Sequence, residues 1–388
     1  MTADEGRPTR VLRIITRMNV GGPAWQVSVL TRGLSQDRFE SQLIAGDVGE
    51  GEADFTELRD PDLPVMKLPT LGRSLRIGDD LRAFVAIRQA IRNYRPDIVH
   101  THTTKAGLLG RIAAATCRVP VRVHTFHGHV LHGYFNRWVT WTISIMERLL
   151  AHQTSALVTV GRQVRDDLVR AGIGRADQHV VIPPGVTLAV LRDRIAARGN
   201  LALPMNQPVV LFVGRLTAIK CPGRLIEAMT LVLEGRPDVI LAIAGEGDLL
   251  KETRRLAEPL GASVRFLGWQ RDITDLYAAA DCMVLTSDNE GMPVTLIEAA
   301  MAGVPCVTTD VGSTREVVLN EVTGFVVESS ASAVADGLIR LLDNDLRSRM
   351  GTAAREWAEA KFGTRRLIAD HEALYERLLI PDGSTSAG

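Results

Sequence analysis

Long hydrophobic runs and paired cysteines are both missing from the sequence. No stretch of about 18 consecutive apolar residues occurs, the length that spans a bilayer. The first residues, MTADEGRPTR, lack the apolar core of a secretory signal. Four cysteines are scattered without paired spacing, which is typical of a reduced cytoplasmic protein: Cys117, Cys221, Cys282 and Cys306. We therefore expect a cytoplasmic protein, attached at most peripherally to the cytoplasmic face of the membrane.

The sequence also lacks net charge. It contains 45 basic and 45 acidic residues, so no global positive field favours nucleic acid, and we expect no nucleic-acid partner. A small excess of basic residues in the N-terminal half is compatible with an anionic membrane surface or substrate. At 388 residues the chain is long enough for two domains, each with its own core.

Short apolar segments alternate with helical patterns along the chain. The segments have the length and composition of strands: 11–16, 97–102, 120–126, 209–213, 240–244 and 281–285. This alternation predicts an α/β protein with parallel, doubly wound sheets. The pattern restarts at Val209 after a stretch of low complexity. We therefore predict an N-terminal domain at 1–186, a linker at 187–207 and a C-terminal domain at 208–364.

Residues 286–310 combine a loop, a helix and a strand, and the rest of the chain is organised around them. Pro293 stands where a first helical residue is favoured, and a helix start favours a phosphate. Glu298 lies in an otherwise apolar helix, so its carboxylate needs a hydrogen-bonding partner. Glu290 lies about 12 Å away at the ~1.5 Å rise of a helix. The two carboxylates suit opposite ends of a ligand with sugar, diphosphate and ribose. The alternative is a solvated Glu290 and a Glu298 paired with a buried arginine.

Two other loops follow predicted strands and suit an anion. Arg215 and Lys220 lie between a strand and a helix, where a guanidinium fork and an ammonium suit a diphosphate; the alternative is a pair of surface cations. Gly21 and Gly22 let a backbone approach an anion closely, and a plain tight turn is the alternative. The G-x-G-x-x-G dinucleotide fingerprint is present neither in the loop of Gly21 and Gly22 nor in the G-E-G-D sequence of 245–248.

Six of the nine histidines fall within 100–132. His102 and His127 end predicted strands, which places them at the edge of a sheet where ligands collect. A metal site is disfavoured, because no carboxylate or cysteine joins the histidines at ligand spacing. The D-x-D of 343–345 is interpreted as a turn at a helix end. We therefore predict no metal site and no cofactor.

The segment 130–151 concentrates aromatic residues: Tyr134, Phe135, Trp138 and Trp141. A core helix is the favoured interpretation, because these are ordinary core residue types at helical spacing. The alternative is an amphipathic helix that contacts a membrane, since aromatic side chains favour the interface.

The residues E-G-M-P-V-T-L-I-E at 290–298 resemble the E-x7-E motif of retaining glycosyltransferases, in particular glycosyltransferase family 4 with its GT-B fold. The resemblance covers nearly the whole chain and is strongest in 209–316. T-H-T-T-K-A-G-L-L-G at 101–110 resembles the bacterial surface-polysaccharide branch of the family. The resemblance implies two Rossmann-like domains facing a central cleft, with a final helix at 365–380 that packs back on the first domain.

On the donor side, the resemblance implies that Glu298 holds the ribose hydroxyls and that Glu290 lies beside the sugar. Arg215 and Lys220 would bind the diphosphate, and His127, in T-F-H-G at 125–128, would reach the donor sugar. The other donor-binding positions lie on loops whose backbone faces the nucleotide sugar: Gly22, Leu267, Gly291, Met292, Pro293 and Val294. The catalytic set would be His127, Glu290, Arg215 and Lys220.

On the acceptor side, the resemblance implies Gly21 and Gly22 at the junction of donor and acceptor, and Lys105 near an acceptor phosphate. Two departures from the family pattern, Pro184 and Thr187, put contacts of those side chains in doubt. Ser313, in place of a usual second glycine, is a milder change.

The function implied is retaining, metal-independent transfer of a sugar from a nucleoside diphosphate sugar, UDP by family habit, to a hydroxyl. The acceptor would be a lipid-linked or polysaccharide precursor in cell-envelope or exopolysaccharide synthesis. Peripheral contact of the N-terminal domain with the inner membrane is a further expectation. The alternatives are a UDP-sugar epimerase of the same fold and a non-catalytic subunit that binds a nucleotide sugar.

Overall fold

The computed structural model describes residues 7–49, 52–72, 74, 76–128, 137–270 and 272–380. The chain divides into two compact units. The first comprises the chain up to Gly185 together with the chain from Thr364 onwards, and the second comprises Val186–Gly363. The polypeptide therefore passes from one unit to the other twice.

In the described part of the first unit, seven strands form one sheet in which every pairing is parallel. They are β1 (Thr9–Ile15), β2 (Phe39–Ala45), β3 (Val65–Lys67), β4 (Ile98–His102), β5 (Val121–Phe126), β6 (Ala156–Thr159) and β7 (His179–Val181). Their order is β3-β2-β1-β4-β5-β6-β7, so the succession of strands reverses direction between β1 and β4.

Helices cover both faces of this sheet. They are α1 (Gly22–Gly33), α2 (Phe55–Leu58), α3 (Ile77–Tyr94), α4 (Thr104–Thr116), α5 (Arg137–Ala151) and α6 (Arg162–Arg170). In α3, Ala83, Ile87 and Ile91 recur every four residues, which places them on one helix face, and they are buried with Leu12 and Val99 of the sheet.

The described part of the second unit contains a six-stranded parallel sheet. Its strands are β8 (Val209–Val213), β9 (Ile240–Ala244), β10 (Val264–Gly268), β11 (Cys282–Leu285), β12 (Cys306–Thr309) and β13 (Gly324–Val327). Its helices are α7 (Arg194–Asn200), α8 (Pro222–Gly235), α9 (Leu250–Ala257), α10 (Thr274–Ala279), α11 (Val294–Met301), α12 (Thr314–Val317), α13 (Ala331–Leu341) and α14 (Asn344–Phe362). The strand order is β10-β9-β8-β11-β12-β13, and the succession reverses between β8 and β11.

The final helix, α15 (Thr364–Leu379), belongs to the first unit. Leu367, Leu374 and Tyr375 are buried on it, in one apolar cluster with Val11 of β1 and Ile98 of β4. The end of the chain is therefore part of the core of the unit in which the chain begins.

The structure corrects the sequence prediction of a linker at 187–207. These residues belong to the second unit, which begins at Val186 and ends at Gly363. The physical reason is the side chain of Arg198 on α7, which is 2% exposed. Its guanidinium contacts the carboxylate of Asp281 at 2.8 Å and donates to the carbonyl oxygens of Pro204 and Met205.

The core-helix interpretation of the aromatic segment is wrong for its described tryptophans. Trp138 and Trp141 on α5 are 79% and 60% exposed, and Leu149 on the same helix is 66% exposed. Tyr134 and Phe135, which belong to the same prediction, lie outside the described residues. In the part of the chain that the structure describes, no helix combines the length and apolarity needed to cross a bilayer.

Candidate active site

In the second unit, the loops that carry Arg215, Lys220 and Glu290 follow neighbouring strands. Arg215 and Lys220 come after β8, Glu290 comes after β11, and these strands lie side by side where the succession of strands reverses. Because parallel strands end at the same edge of a sheet, both loops project there. Open α/β sheets bind their ligands at this kind of reversal point.

The ammonium of Lys220 forms an ion pair with Oε1 of Glu290. Oγ of Ser287 also donates to Oε1 of Glu290, at 2.6 Å. The side chains of Lys220 and Glu290 are 22% and 10% exposed. The carboxylate is thus held by a cation and a hydroxyl, and it is not the solvated turn residue that the sequence left as an alternative.

Arg215 differs from Lys220, because its side chain is exposed and forms no hydrogen bond or ion pair with any residue that the structure describes. Two glycines pack closely against the loop that carries Arg215. Gly245 and Gly247 have φ of 139° and 155°, and added Cβ atoms would lie 2.1 Å from the carbonyl oxygen of Gly214 and 2.4 Å from that of Leu216. The G-E-G sequence after β9 therefore supports the Arg215 loop by close backbone contact.

The loop of Gly291, Met292 and Pro293 leads into α11, which begins at Val294. Pro293 is the residue before the helix, with φ −73° and ψ 111°, and no side chain caps the first turn. The loop after β12 packs against this segment. Gly312, with φ 52°, sits where an added Cβ would lie 1.8 Å from the carbonyl oxygen of Glu290. The sequence analysis did not identify Gly312, although a positive φ at a close backbone approach requires glycine.

Glu298, on α11, accepts a hydrogen bond of 2.6 Å from the hydroxyl of Tyr277. Tyr277 lies on α10 and is 1% exposed. Its burial and the neighbouring Glu298 carboxylate raise the pKa of Tyr277 well above its usual value, so the hydroxyl stays protonated and donates. This partner was missed, because a tyrosine 21 residues earlier carries no sequence signal of the contact.

Leu267 is the penultimate residue of β10, at the edge of the sheet. Its carbonyl oxygen accepts a hydrogen bond of 2.6 Å from the side-chain amide of Gln270. β9 separates β10 from β8, so Leu267 lies two strands away from the Arg215 loop. Its predicted contact with a base stays a prediction.

In the first unit, the glycine turn and His127 follow strands near the corresponding reversal point. Gly21 precedes α1, which begins at Gly22 and has no side-chain cap. The indole of Trp25 on α1 donates to the carbonyl oxygen of Gly185 at 2.8 Å. This hydrogen bond holds the start of α1 next to Gly185, the residue after which the chain leaves the first unit.

His127 follows β5 and is half-buried. Its Nε2 lies 3.1 Å from Nδ1 of His102, the last residue of β4. Burial lowers the pKa of His127 to about 4, so its ring is neutral at neutral pH. Among the residues that the structure describes, no group of three histidine, cysteine or carboxylate side chains is arranged to hold a metal ion. His129 and His132 lie outside those residues.

Lys105, on α4, is 9% exposed. Its ammonium forms an ion pair with Asp80 and donates to the carbonyl oxygen of Ser74 at 2.7 Å. The sequence analysis missed Asp80 as a partner. A phosphate at this position would have to share Lys105 with a carboxylate, and the predicted acceptor contact stays a prediction.

The D-x-D sequence has a structural role. Oδ1 of Asp343 accepts a hydrogen bond of 2.8 Å from the backbone N–H of Leu346, as the N-cap of α14. This agrees with the interpretation of these residues as a turn at a helix end.

Two family models match the chain in succession. The model described as glycosyl transferase 4-like domain matches residues 21–185, and the model described as glycosyl transferases group 1 matches residues 193–357. A D-inositol 3-phosphate glycosyltransferase of Xylanimonas cellulosilytica is 33% identical, over 69% of this chain and 68% of its own. The chain belongs to glycosyltransferase family 4.

Two other relatives extend the comparison of this family 4 glycosyltransferase. The UDP-Gal:alpha-D-GlcNAc-diphosphoundecaprenol alpha-1,3-galactosyltransferase of Escherichia coli is 29% identical over 83% of this chain and 85% of its own. The crystal structure of Anabaena HepE in complex with UDP and glucose has a TM-score of 0.81, with 22% identity, and covers 95% of this chain and all of its own. This likeness in structure confirms the predicted GT-B fold.

Proposed function

We propose that this glycosyltransferase moves a sugar from a UDP-sugar to a hydroxyl of a lipid-linked precursor of a cell-surface polysaccharide. The observation that carries the proposal is the set of Arg215, Lys220 and Glu290 on two loops at the reversal point of the second sheet. Relatives support the choice of substrates. HepE is described with UDP and glucose, and the Escherichia coli relative is named for a UDP-Gal donor and a diphosphoundecaprenol-linked acceptor.

The charges of the second unit suit the departure of a nucleoside diphosphate. Negative charge develops on the phosphate as the bond to the sugar breaks, and preorganised cations stabilise that charge. Arg215 has its guanidinium available for an anion, and Lys220 can share its ammonium between Glu290 and a phosphate. The uncapped N–H groups at Val294 add positive potential. Because these donors supply positive charge for the diphosphate, we propose transfer without a metal ion.

We further propose that the sugar keeps its anomeric configuration through attack on the face from which the diphosphate leaves. Glu290 is a weaker covalent nucleophile than a free carboxylate, because the ammonium of Lys220 and the hydroxyl of Ser287 stabilise its negative charge. The departing phosphate would then accept the proton of the acceptor hydroxyl. In this scheme Glu298, fixed by Tyr277, holds the ribose, and the backbone of 291–294 and Leu267 face the rest of the donor.

The first unit would supply the remaining contacts. His127 would hydrogen-bond a hydroxyl of the donor sugar, Gly21 and Gly22 would leave room where the two substrates meet, and Lys105 would lie near an acceptor phosphate. A lipid-linked acceptor also needs access to a membrane. The exposed apolar side chains of α5, at 138, 141 and 149, follow helical spacing, and we propose that this face contacts the bilayer surface.

The decisive experiment offers UDP-glucose and UDP-galactose, in the presence of EDTA, with and without a GlcNAc-diphosphoundecaprenol acceptor. Transfer that requires the acceptor, with retained configuration by NMR, is expected. In Arg215→Ala the rate should fall by about 10²- to 10³-fold, whereas Arg255→Ala, an exposed arginine on α9, should leave it unchanged. Isomerised donor formed without acceptor would identify an epimerase. Binding of UDP without turnover would identify a binding subunit.

The membrane contact is tested separately by flotation with vesicles that contain anionic lipid. Wild type should float with the vesicles, and the double variant Trp138→Ser, Trp141→Ser should float several-fold less. Val190→Ser, which changes an apolar side chain of the second unit that is 94% exposed, is the matched control. Equal flotation of all three proteins would contradict a role for α5.

A further inference from the structure

One face of the first sheet carries a line of buried histidines that ends at His127. His100 and His102 alternate along β4, and both are 0% exposed. Their rings stack with centroids 4.3 Å apart, and the rings of His102 and His127 lie 5.3 Å apart. Three imidazoles therefore lie in contact, from the interior of the unit to the half-buried His127.

The inner end of this line is fixed on both sides. Nδ1 of His100 lies 2.6 Å from the hydroxyl of Tyr375 on α15, and its Nε2 lies 2.7 Å from Oγ1 of Thr125 on β5. A ring held at both nitrogens cannot rotate without losing two hydrogen bonds. Because His102 stacks on that ring and is itself fully buried, His102 is held in one orientation.

His102 and His127 share one hydrogen bond, between Nδ1 of His102 and Nε2 of His127. Burial lowers the pKa of both rings, so each carries a single proton at neutral pH. Only two arrangements are then possible. Either His102 donates from Nδ1 and the proton of His127 is on Nδ1, or His127 donates from Nε2 and the proton of His102 is on Nε2.

The surroundings of His102 distinguish these arrangements. Its Nε2 is buried and has no hydrogen-bond partner in the described part of the chain. A buried N–H without an acceptor is rarer than a buried acceptor without a donor, since the unpaired donor loses its full hydration. The proton of His102 is therefore favoured on Nδ1, where it has an acceptor.

We propose that His102 is a positioning residue that fixes the orientation and tautomer of His127, so that His127 offers an Nδ1–H donor to the substrate. His127 Nδ1 makes no hydrogen bond within the described residues and is not among the fully buried unpaired atoms, so it is open to a ligand. An N–H donor suits a hydroxyl or other oxygen of the donor sugar. His127 then orients the sugar and does not accept a proton from the acceptor. The assignment of the ligand rests on the proposed function.

The first test reads the tautomer directly and does not need activity. In protein labelled with ¹⁵N at histidine, the ring nitrogens of His127 should report Nδ1–H at neutral pH, with the signal identified by its loss in His127→Gln. In His102→Phe, which keeps the ring volume and removes the hydrogen bond, Nε2–H should become populated. An Nε2–H tautomer of His127 in the wild type would overturn the proposal, whether or not the protein proves to be a transferase.

The second test separates positioning from packing by kinetics. His102→Asn places an amide near the position of Nδ1 and should restore most of the activity that His102→Phe loses. His102→Phe should lower kcat by about 10- to 100-fold with a smaller change in KM for the donor, since a misplaced contact costs mainly in the transition state. The control is His124→Asn, which changes an equally buried histidine that bonds Thr101 at 2.8 Å and has no hydrogen bond to His127.

Each kinetic outcome either supports or overturns a positioning role for His102. Rescue by His102→Asn, with unchanged kcat in His124→Asn, supports a positioning role. Equal losses in His102→Phe, His102→Asn and His124→Asn would show that buried histidines matter only for packing, and would overturn the proposal. Should His102→Phe fail to fold, the wild-type tautomer and His102→Asn remain sufficient. Absence of transfer by the wild type would refute the proposed function and leave the tautomer result standing.

Discussion

The two units share one architecture and differ in the polar side chains at their reversal points. None of the nine histidines of the chain falls within 186–363, the range of the second unit. At the first reversal point, His102 and His127 contact each other as neutral rings. At the second, Lys220 and Glu290 contact each other as ions. Neutral donors suit the hydroxyls of a sugar, and fixed charges suit a diphosphate.

The cores of both units contain buried charges. Asp281, 5% exposed, accepts hydrogen bonds from Arg194 and Arg198 and from the backbone N–H of Val209. In the first unit, Arg13 is 0% exposed and contacts the hydroxyls of Ser41 and Tyr375, while Arg111 and Glu147 form an ion pair that is also buried. A buried ion pair depends on both partners, whereas a neutral network can lose one member at smaller cost.

The largest expected effect comes from breaking the ionic core of the second unit. Asp281→Ala leaves the guanidinium of Arg198 buried without its carboxylate and should lower the free energy of unfolding by about 3–5 kcal/mol. The measurement is chemical denaturation. Asp310→Ala is the matched control, because Asp310 is exposed and pairs with exposed Arg315; it should cost less than about 1 kcal/mol. Similar losses in both variants would mean that burial of the Asp281 carboxylate does not increase the cost of removing it.

The next effect tests whether charge serves catalysis in the second unit. Lys220→Ala should lower kcat by about 10²- to 10³-fold, because in the proposed reaction it removes one cation that stabilises the leaving diphosphate. Lys220→Arg retains the charge and should recover part of that rate. Thr230→Ala is the control and should turn over like wild type. Thr230 lies on the neighbouring α8, and its hydroxyl bonds only to the backbone carbonyl oxygen of Ile226. If Lys220→Ala and wild type turned over equally, Lys220 would be only a partner of Glu290.

A smaller effect should appear when the histidines of the first unit are protonated. Burial lowers the pKa of His371, on α15, to about 3, against 6.5 in an unfolded chain. Between these values the unfolded state binds the proton and the folded state does not, so stability falls as pH decreases below about 6.5. Each such histidine contributes about 1.4 kcal/mol per pH unit.

The check is the slope of unfolding free energy against pH between about 4.5 and 6. His371→Leu should have a shallower slope than wild type by about 1.4 kcal/mol per pH unit, while Val190→Ser in the second unit should keep the wild-type slope. A slope unaffected by His371→Leu would mean that this ring is already protonated in the folded protein.

Much of this comparison could be predicted from the sequence. The alternation of strands and helices predicted both parallel sheets. Because local pattern also shows where each strand ends, it predicted that Arg215, Lys220 and Glu290 lie at one edge of a sheet. The pattern carries no information on pairing between distant residues. The contacts of Lys220 with Glu290 and of Tyr277 with Glu298 depend on helices and loops that meet only in the folded unit.

The errors have the same physical origin. The segment 187–207 resembles a linker in composition, yet Arg198 pairs with Asp281, 83 residues later, and that contact makes the segment part of the second unit. Tryptophan is a common core residue, and Trp138 and Trp141 follow helical spacing, yet both are exposed. Periodicity shows that a helix has an apolar face, but it does not show what that face contacts. The ion pair of Lys105 with Asp80 was missed for the same reason, because that distant partner has no local signal, and the acceptor contact predicted for Lys105 stays a prediction.

The smallest effect distinguishes structural carboxylates of the second unit from functional ones. Asp343→Ala removes the N-cap of α14 and should lower the free energy of unfolding by about 1 kcal/mol, since the N–H of Leu346 loses its acceptor. Transfer activity should be unchanged, and EDTA should not alter it in either protein. Asp343→Asn, which can still cap, should recover the stability. A loss of activity in Asp343→Ala that Mg²⁺ or Mn²⁺ reverses would instead make the D-x-D sequence a metal site, and the charge of the leaving diphosphate would then not be neutralised by Arg215 and Lys220 alone.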